Sequence, residues 1–240
     1  MSAIARKILI TGSSRGIGAQ IARDAFIKGY KVILHGRTDS DALRTLKHEL
    51  NCDALTFDVR DWVAAESAIG TLDRLDVLIN SAGINISAPL DDLSLEDWQN
   101  VYSVNVFGLA GVTNACRKLL DQSNSARIIN IGSVKGYYAS TGRAAYASSK
   151  AAVSSLTTAM AKEFAPNILV NCVAPGFVAT DMTEQTMSPR IESQISSSLI
   201  GRLAAVEEIS SAVMYFCSND SSFVTGQTLL VDGGFSIKKG

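Results

Sequence analysis

Cysteine is scarce in this sequence, charge is sparse, and long apolar runs are missing. The four cysteines, Cys52, Cys116, Cys172 and Cys217, are widely scattered. No pair has CxxC spacing, which removes the common zinc and redox patterns and gives no metal site to expect. We expect reduced, buried thiols. Charged residues make up 19% of the chain, and 22 basic side chains offset 23 acidic ones to a net charge of -1. Such a balance offers no long-range attraction to nucleic acid or anionic lipid. No apolar stretch approaches the ~18 residues of a transmembrane helix. Met1–Ile10 runs directly into a strand pattern, without a signal-peptide h-region or cleavage site. A cytoplasmic location is expected.

What the sequence has is core material. Hydrophobic residues form 47% of 240 residues, which fits one large α/β domain over residues 1–240. Apolar strands alternate with amphipathic helices. Strands are expected at Lys7–Ile10, Lys31–Leu34, Ala54–Phe57, Asp76–Asn80, Arg127–Ile131, Ile168–Val173 and Leu229–Val231. Between them, helices are expected at Ile17–Lys28 (with Gly29 as the residue that ends it), Asp41–Leu50, Val63–Leu72, Leu95–Leu120 and Ala144–Phe164. Short strands joined by helices imply right-handed crossovers. The expected fold is therefore a doubly wound Rossmann-type domain, a seven-stranded parallel sheet with helices on both faces. Its ligands bind at the carboxyl ends of the strands. Thr180–Gly201 is a long Ser-rich stretch of mixed composition, expected to act as a lid over the substrate.

The first strand is followed by Thr11-Gly12-Ser13-Ser14-Arg15-Gly16-Ile17-Gly18. Strand, glycine-rich turn and helix start are the parts of a dinucleotide site, where backbone approaches the pyrophosphate and the helix N-terminus supplies oriented N–H groups. The second strand leads into His35-Gly36-Arg37, without the carboxylate that usually holds the ribose of NAD. Arg37 and Arg15 instead suit a 2′-phosphate, so NADP(H) is the expected cofactor. The third strand runs into Asp58-Val59, where a carboxylate can accept from the adenine amino group. The fourth ends in Asn80-Ser81-Ala82-Gly83, small residues that let backbone pass close to a flat cofactor.

Ser133 follows the fifth strand. Tyr146 and Lys150 come next, at i and i+4 on one face of a helix. Carbonyl reduction needs a proton donor that works near neutral pH. A free phenol holds its proton to about pH 10, and a neighbouring ammonium favours the phenolate. Tyr146 can then protonate the developing alkoxide, with Ser133 hydrogen-bonded to the same oxygen.

These motifs, with Asn105 in SVNVFG, VNCVAPGFVAT (170–180) and VDGG (231–234), resemble the short-chain dehydrogenase/reductase family over nearly the whole chain. The resemblance implies a tetrad of Asn105, Ser133, Tyr146 and Lys150, in which Asn105 bends its helix and supports a proton relay. It also implies that Tyr146 and Lys150 contact the nicotinamide ribose, and that Pro175, Gly176, Val178 and Thr180 belong to the loop at the carboxamide. Within the family the sequence is most similar to the 3-oxoacyl-acyl-carrier-protein reductases. That implies NADPH-dependent reduction of a β-ketoacyl thioester to the (3R)-hydroxyacyl thioester, as in fatty acid biosynthesis, with the substrate on an acyl carrier protein. Only Arg117, Lys118 and Arg127 supply positive charge where an acidic carrier would dock. The alternatives are reduction of another ketone, or oxidation of another alcohol, and a non-catalytic NADP(H)-sensing regulator. The family's habit of tetramerising, and the small residues of Ala151–Ala161, lead us to expect a homotetramer.

Overall fold

A computed structural model describes residues 5–179 and 189–238. Seven parallel strands form one sheet: β1 (Lys7–Ile10), β2 (Lys31–Gly36), β3 (Asp53–Thr56), β4 (Val77–Asn80), β5 (Ala126–Ile131), β6 (Ile168–Pro175) and β7 (Thr228–Val231). Their order is β3-β2-β1-β4-β5-β6-β7. The expected sheet is therefore the observed one. The chain builds outward from β1 to β3 and then returns to β4, so the winding reverses between β1 and β4. In open α/β sheets that crevice holds the ligand.

Period-two alternation explains why the strands read as unbroken apolar runs. Ile8, Ile10, Val32, Leu34, Val77, Ile79, Ile129, Ile131 and Val173 face one layer, which holds α1 (Gly16–Ile27), α2 (Asp41–Leu50) and α8 (Val206–Cys217). Leu9, Ile33, Leu78, Ile128, Val170 and Cys172 face the other. That layer holds α3 (Trp62–Ile69), α5 (Leu109–Asp121) and α6 (Ala144–Phe164). Both faces are covered, as a parallel sheet requires.

Local signals set the helix ends. Gly29 takes φ +82° and closes α1, with Tyr30 N–H donating to Ala25 O at 3.0 Å; the left-handed residue satisfies carbonyls that the helix leaves open. Ser40 and Asp61 cap α2 and α3, each accepting from a backbone N–H in the first turn.

One expectation needs refinement. Leu95–Leu120 reads as a uniform helix, but the structure divides it into α4 (Leu95–Tyr102), a π-helical turn at Ser103–Gly108, and α5. The stretch Thr180–Gly201 falls partly on residues 180–188, outside the described residues, and partly on α7 (Pro189–Ser196). Among the described residues no helix is long and apolar enough to cross a membrane, and no cluster of His, Cys, Asp or Glu could hold a metal. The cysteines are free thiols. Burial pushes Cys52 up to about 11 and Cys217 to about 12, which keeps both protonated.

Candidate active site

The glycine-rich loop joins β1 to α1. Gly12 sits at φ +65°, and a Cβ there would come within 2.8 Å of Ala82 Cα. A Cβ on Gly18 would lie 2.5 Å from Gly12 O. These contacts draw the loop tight against both the α1 N-terminus and the end of β4, leaving a cradle that side chains would fill. Thr11 fixes the second contact: its Oγ1 accepts from Ser81 N at 3.0 Å and Ala82 N at 3.1 Å. Ser14 is half-buried, Arg15 is the exposed residue that opens α1, and Ile17 packs against the core beneath.

Sequence reading passed over His35, which the structure puts under this loop. Its ring is 2% exposed. Nε2 lies 3.0 Å from Phe57 O, and a carbonyl only accepts, so Nε2 carries the proton. Nδ1 is then the acceptor for Gly12 N–H at 3.2 Å. The His35 backbone closes the same joint: its N–H donates to Ser13 Oγ at 2.8 Å, and its carbonyl accepts from Ser13 N at 3.0 Å. One neutral imidazole thus ties together the ends of β1, β2 and β3. Burial lowers its pKa to about 4, against the weaker opposing pull of the Phe57 carbonyl and the Asp58 charge. The only sequence signal was a histidine between an apolar strand and Gly36-Arg37.

Arg37 is exposed just beyond β2, as Arg15 is just before α1. No carboxylate stands between Gly36 and Thr38. At the end of β3, Asp58 is clamped by Arg60, whose Nη2 donates to Oδ2 at 2.6 Å and whose Nε reaches both oxygens at 3.0 Å. Hydrogen bonding from that guanidinium holds the Asp58 carboxyl below its ordinary range. An adenine amino group would have to share this carboxylate with Arg60. Val59 is buried and packs against the π turn, where a Cβ on Gly108 would come within 2.7 Å of Val59 Cγ2.

Asn80 is drawn away from the cleft by its side chain. Its Nδ2 donates to Thr113 Oγ1 at 3.0 Å and to Asn130 Oδ1 at 2.9 Å. Asn130 passes the chain on to Thr157 Oγ1 at 2.9 Å. This buried network links β4, β5, α5 and α6 and occupies the Asn80 amide nitrogen, while Asn80 Oδ1 is buried without a hydrogen-bond partner. Ala82 and Gly83 continue past it towards Asn105 and Lys150: a Cβ on Gly83 would lie 3.3 Å from Asn105 Oδ1 and 3.6 Å from Lys150 Nζ.

Asn105 lies inside the π turn and is 1% exposed. Its Oδ1 accepts from Ile84 N at 2.8 Å, and its Nδ2 donates to Ile84 O at 2.9 Å and to Ser149 Oγ at 3.0 Å. Ser149 in turn donates to Tyr146 O at 2.7 Å. The amide therefore clips the extension of β4 to the turn of α6 that carries Tyr146. π turns recur at functional sites because they re-aim side chains within a helix. Ser149 is a second residue that sequence reading missed.

Lys150 is 6% exposed, and its Nζ donates to Ile131 O at 2.7 Å. The ammonium also lies 5.9 Å from the centre of the Tyr146 ring. Ser133 caps a short 3₁₀ turn at Val134–Gly136 and accepts from Lys135 N at 3.2 Å. Ser133 and Tyr146 both line a cleft of about 570 Å³. Gly176 and Phe177 close one wall, and Asn85, 87–89, 133–135 and 140–143 supply others. Pro175 ends β6 and is buried. Val178 is held by a bridge to Ala204. Thr180 lies outside the described residues. The expected tetrad is thus brought to one place, beside the phosphate loop, across the β1/β4 crevice.

A family model described as enoyl-(acyl carrier protein) reductase matches residues 12–236. Acetoacetyl-CoA reductase of Acinetobacter sp. (strain RA3849) is 37% identical over 94% of this chain and 96% of that protein. The 3-oxoacyl-[acyl-carrier-protein] reductase of Aquifex aeolicus is 36% identical over 94% of this chain and 95% of its own length. Among solved structures, a gluconate 5-dehydrogenase from Burkholderia cenocepacia J2315, in complex with NADP and tartrate, superposes with TM-score 0.92. It is 32% identical, with 99% of this chain and 97% of that chain covered.

Proposed function

Because the chain belongs to the short-chain dehydrogenase/reductase family, an oxidoreductase group that acts on CH–OH or C=O with a nicotinamide cofactor, we propose that it reduces a β-ketoacyl thioester to the (3R)-3-hydroxyacyl thioester with NADPH. The observation that carries this reading is that Ser133 and Tyr146 line one cleft while Lys150 Nζ lies beneath it, 5.9 Å from the Tyr146 ring centre. Two of the relatives above are named for 3-oxoacyl thioester reduction.

NADPH, when bound, supplies the hydride that adds to the carbonyl carbon. Gly12, Ser13, Ser14, Gly16, Ile17 and Gly18 form the phosphate cradle. Arg15 and Arg37 take the 2′-phosphate, while Asp58, Val59 and the backbone of Asn80, Ala82 and Gly83 line the adenine and ribose side. Tyr146 donates its phenolic proton to the carbonyl oxygen as the C–H bond forms. Ser133 Oγ hydrogen-bonds the same oxygen and carries part of its charge. Lys150 keeps a buried ammonium beside the phenol and the ribose. Asn105 positions α6 through Ser149, and Pro175, Gly176 and Val178 bound the carboxamide.

Carrier docking is the weakest element of the acyl-carrier-protein version. Arg127 is buried at 6% exposure. Arg117 is paired with Asp121 at 2.8 Å and stacked 4.1 Å from the Phe164 ring centre. Of the three expected cations, Lys118 alone is left to meet an acidic carrier, which favours a thioester of coenzyme size. A homotetramer is supported by the exposed small side chains Ala151, Ser155, Thr158 and Ala159 on α6, which permit close helix approach, and by exposed Phe223 and Ile237 near β7. Four protonated, unpaired thiols suit a reducing cytoplasm.

The test is NADPH consumption with acetoacetyl thioesters set beside a panel of free ketones. Turnover of the thioesters is expected, with the (3R) alcohol as product. Activity confined to the free ketones would reject the thioester reading.

A further inference from the structure

We infer that Phe235 is a specificity-determining residue: acting through Phe177, it sets the width of the cleft that holds Ser133 and Tyr146, and so the bulk of substrate admitted there. The inference rests on the reductase reading above and refines which substrates the site takes. Phe177 lines the cleft, whereas Phe235 lies outside its lining. The two rings meet edge to face, with centres 5.4 Å apart and planes at 90°. Phe235 meets Tyr138 in the same way, at 6.2 Å and 86°. The Lys135 ammonium lies 4.9 Å from the centre of the Phe177 ring and 4.8 Å from that of Phe235, so one cation holds both rings. Phe177 is therefore a wall residue whose ring is backed by Phe235.

The turn that follows β7 fixes Phe235. Its sequence, Asp232-Gly233-Gly234, has no part in the catalytic or cofactor machinery described above. Gly233 and Gly234 are both left-handed, at φ +61° and +79°, a pair of conformations that only glycine adopts freely. The Asp232 carboxylate closes the turn: Oδ1 accepts from Gly234 N at 3.0 Å and Oδ2 from Ser236 N at 2.8 Å. Gly176 N donates to Val231 O at 2.9 Å, and a Cβ on Gly176 would come within 2.7 Å of Asp232 Cα. The loop that carries Phe177 and the turn that carries Phe235 are thus packed backbone to backbone. Gly233 O also accepts from Leu199 N at 2.8 Å and Ile200 N at 3.1 Å. That ties down the chain leaving α7, whose Ser193 lines the cleft. A turn held on these sides gives the Phe235 ring one place, and Phe177 cannot retreat while that place is filled. Removing the ring leaves a void into which Phe177 can turn.

A size series tests this. NADPH consumption is followed with acetoacetyl and 3-oxo-octanoyl thioesters, and with acetone and acetophenone, in the native enzyme, Phe235→Ala, Phe177→Ala and the double variant. Phe235→Ala should raise the bulky-to-small ratio of kcat/KM by roughly 10-fold, the worth of a small change in pocket volume. The gain should lie in KM for the bulky substrate, with kcat for the small one and NADPH affinity close to native. Phe235→Tyr keeps the ring and should keep the native ratio. Because Phe235 acts through Phe177, the double variant should match Phe177→Ala rather than multiply the two effects. An unchanged ratio in Phe235→Ala, an equal loss for every substrate, or multiplied effects in the double variant would each overturn the inference. Should Phe235→Ala fail to fold, Phe235→Leu takes its place, since it keeps apolar volume and removes the ring edge, and the same ratios decide. Turnover of the ketones but of neither thioester would sink the thioester reading, and the ketone ratio then tests Phe235 by itself.

Discussion

The cofactor bank of the cleft, from the end of β1 to the end of β3, is held by buried, fully directed contacts. Thr11 joins the phosphate loop to β4, and His35 joins it to β2 and β3. The substrate bank is made of short loops after β4, β5 and β6, where polar side chains point into the cleft and Arg143 has no described partner. In the proposed function one bank recognises a ligand whose shape never changes, which suits a geometry preorganised to the level of single N–H groups. The other carries the groups that differ from one substrate to the next. Loops on a rigid scaffold are suited to that, because they vary without disturbing the sheet.

The largest expected effect separates chemistry from binding. Tyr146→Phe removes the proton donor and keeps the ring, so turnover should fall by roughly 10²- to 10⁴-fold. NADPH affinity, followed by fluorescence titration, should hardly change. Turnover close to that of the native enzyme would show that another group protonates the oxygen.

The next test strikes the cofactor bank. His35 has a lowered folded pKa, so the unfolded chain binds the proton more readily between about pH 6.5 and 4. Its stabilising contribution is therefore complete above pH 6.5 and is lost as the pH falls through 4, to a total of about 3 kcal/mol. Protonation would also set an Nδ1–H against Gly12 N–H. His35→Phe should lower stability at pH 7, flatten this acid slope in urea denaturation, and weaken NADPH binding. An unchanged slope would show that His35 is not the titrating latch.

Arg37→Ala gives the smallest expected effect, and the most selective. Loss of a charged contact to the 2′-phosphate should weaken NADPH by roughly 10- to 100-fold and leave NADH within a small factor. Equal losses for both cofactors would mean that Arg37 does not read the phosphate.

Much of the fold and of the cleft is legible in the amino-acid sequence. The parallel sheet follows from alternating helices and strands with right-handed crossovers, and the glycine loop, Ser133, Tyr146 and Lys150 sit at fixed distances from strand ends. The π turn is not legible, because the weak helix formers of SVNVFG mark a soft stretch without fixing its winding, and the partner that Asn105 takes there, Ile84, lies 21 residues away in sequence. Asn80 reads as a ligand residue from its place at a strand end. Its side chain is claimed instead by Thr113 and Asn130, which lie far away in sequence. Arg60 closes on Asp58 from two positions away, yet nothing in Asp58-Val59-Arg60 announces which carboxylates will be paired.

By itself the sequence determined the parallel sheet and, to within two residues, where each strand ends, because side-chain periodicity and glycine sterics act over a few residues. Only the tertiary structure decided which polar groups face the cleft and which spend their hydrogen bonds inside the protein. That partition depends on partners brought together from separate strands and helices, and a buried donor or acceptor takes whichever partner the packing places within about 3 Å.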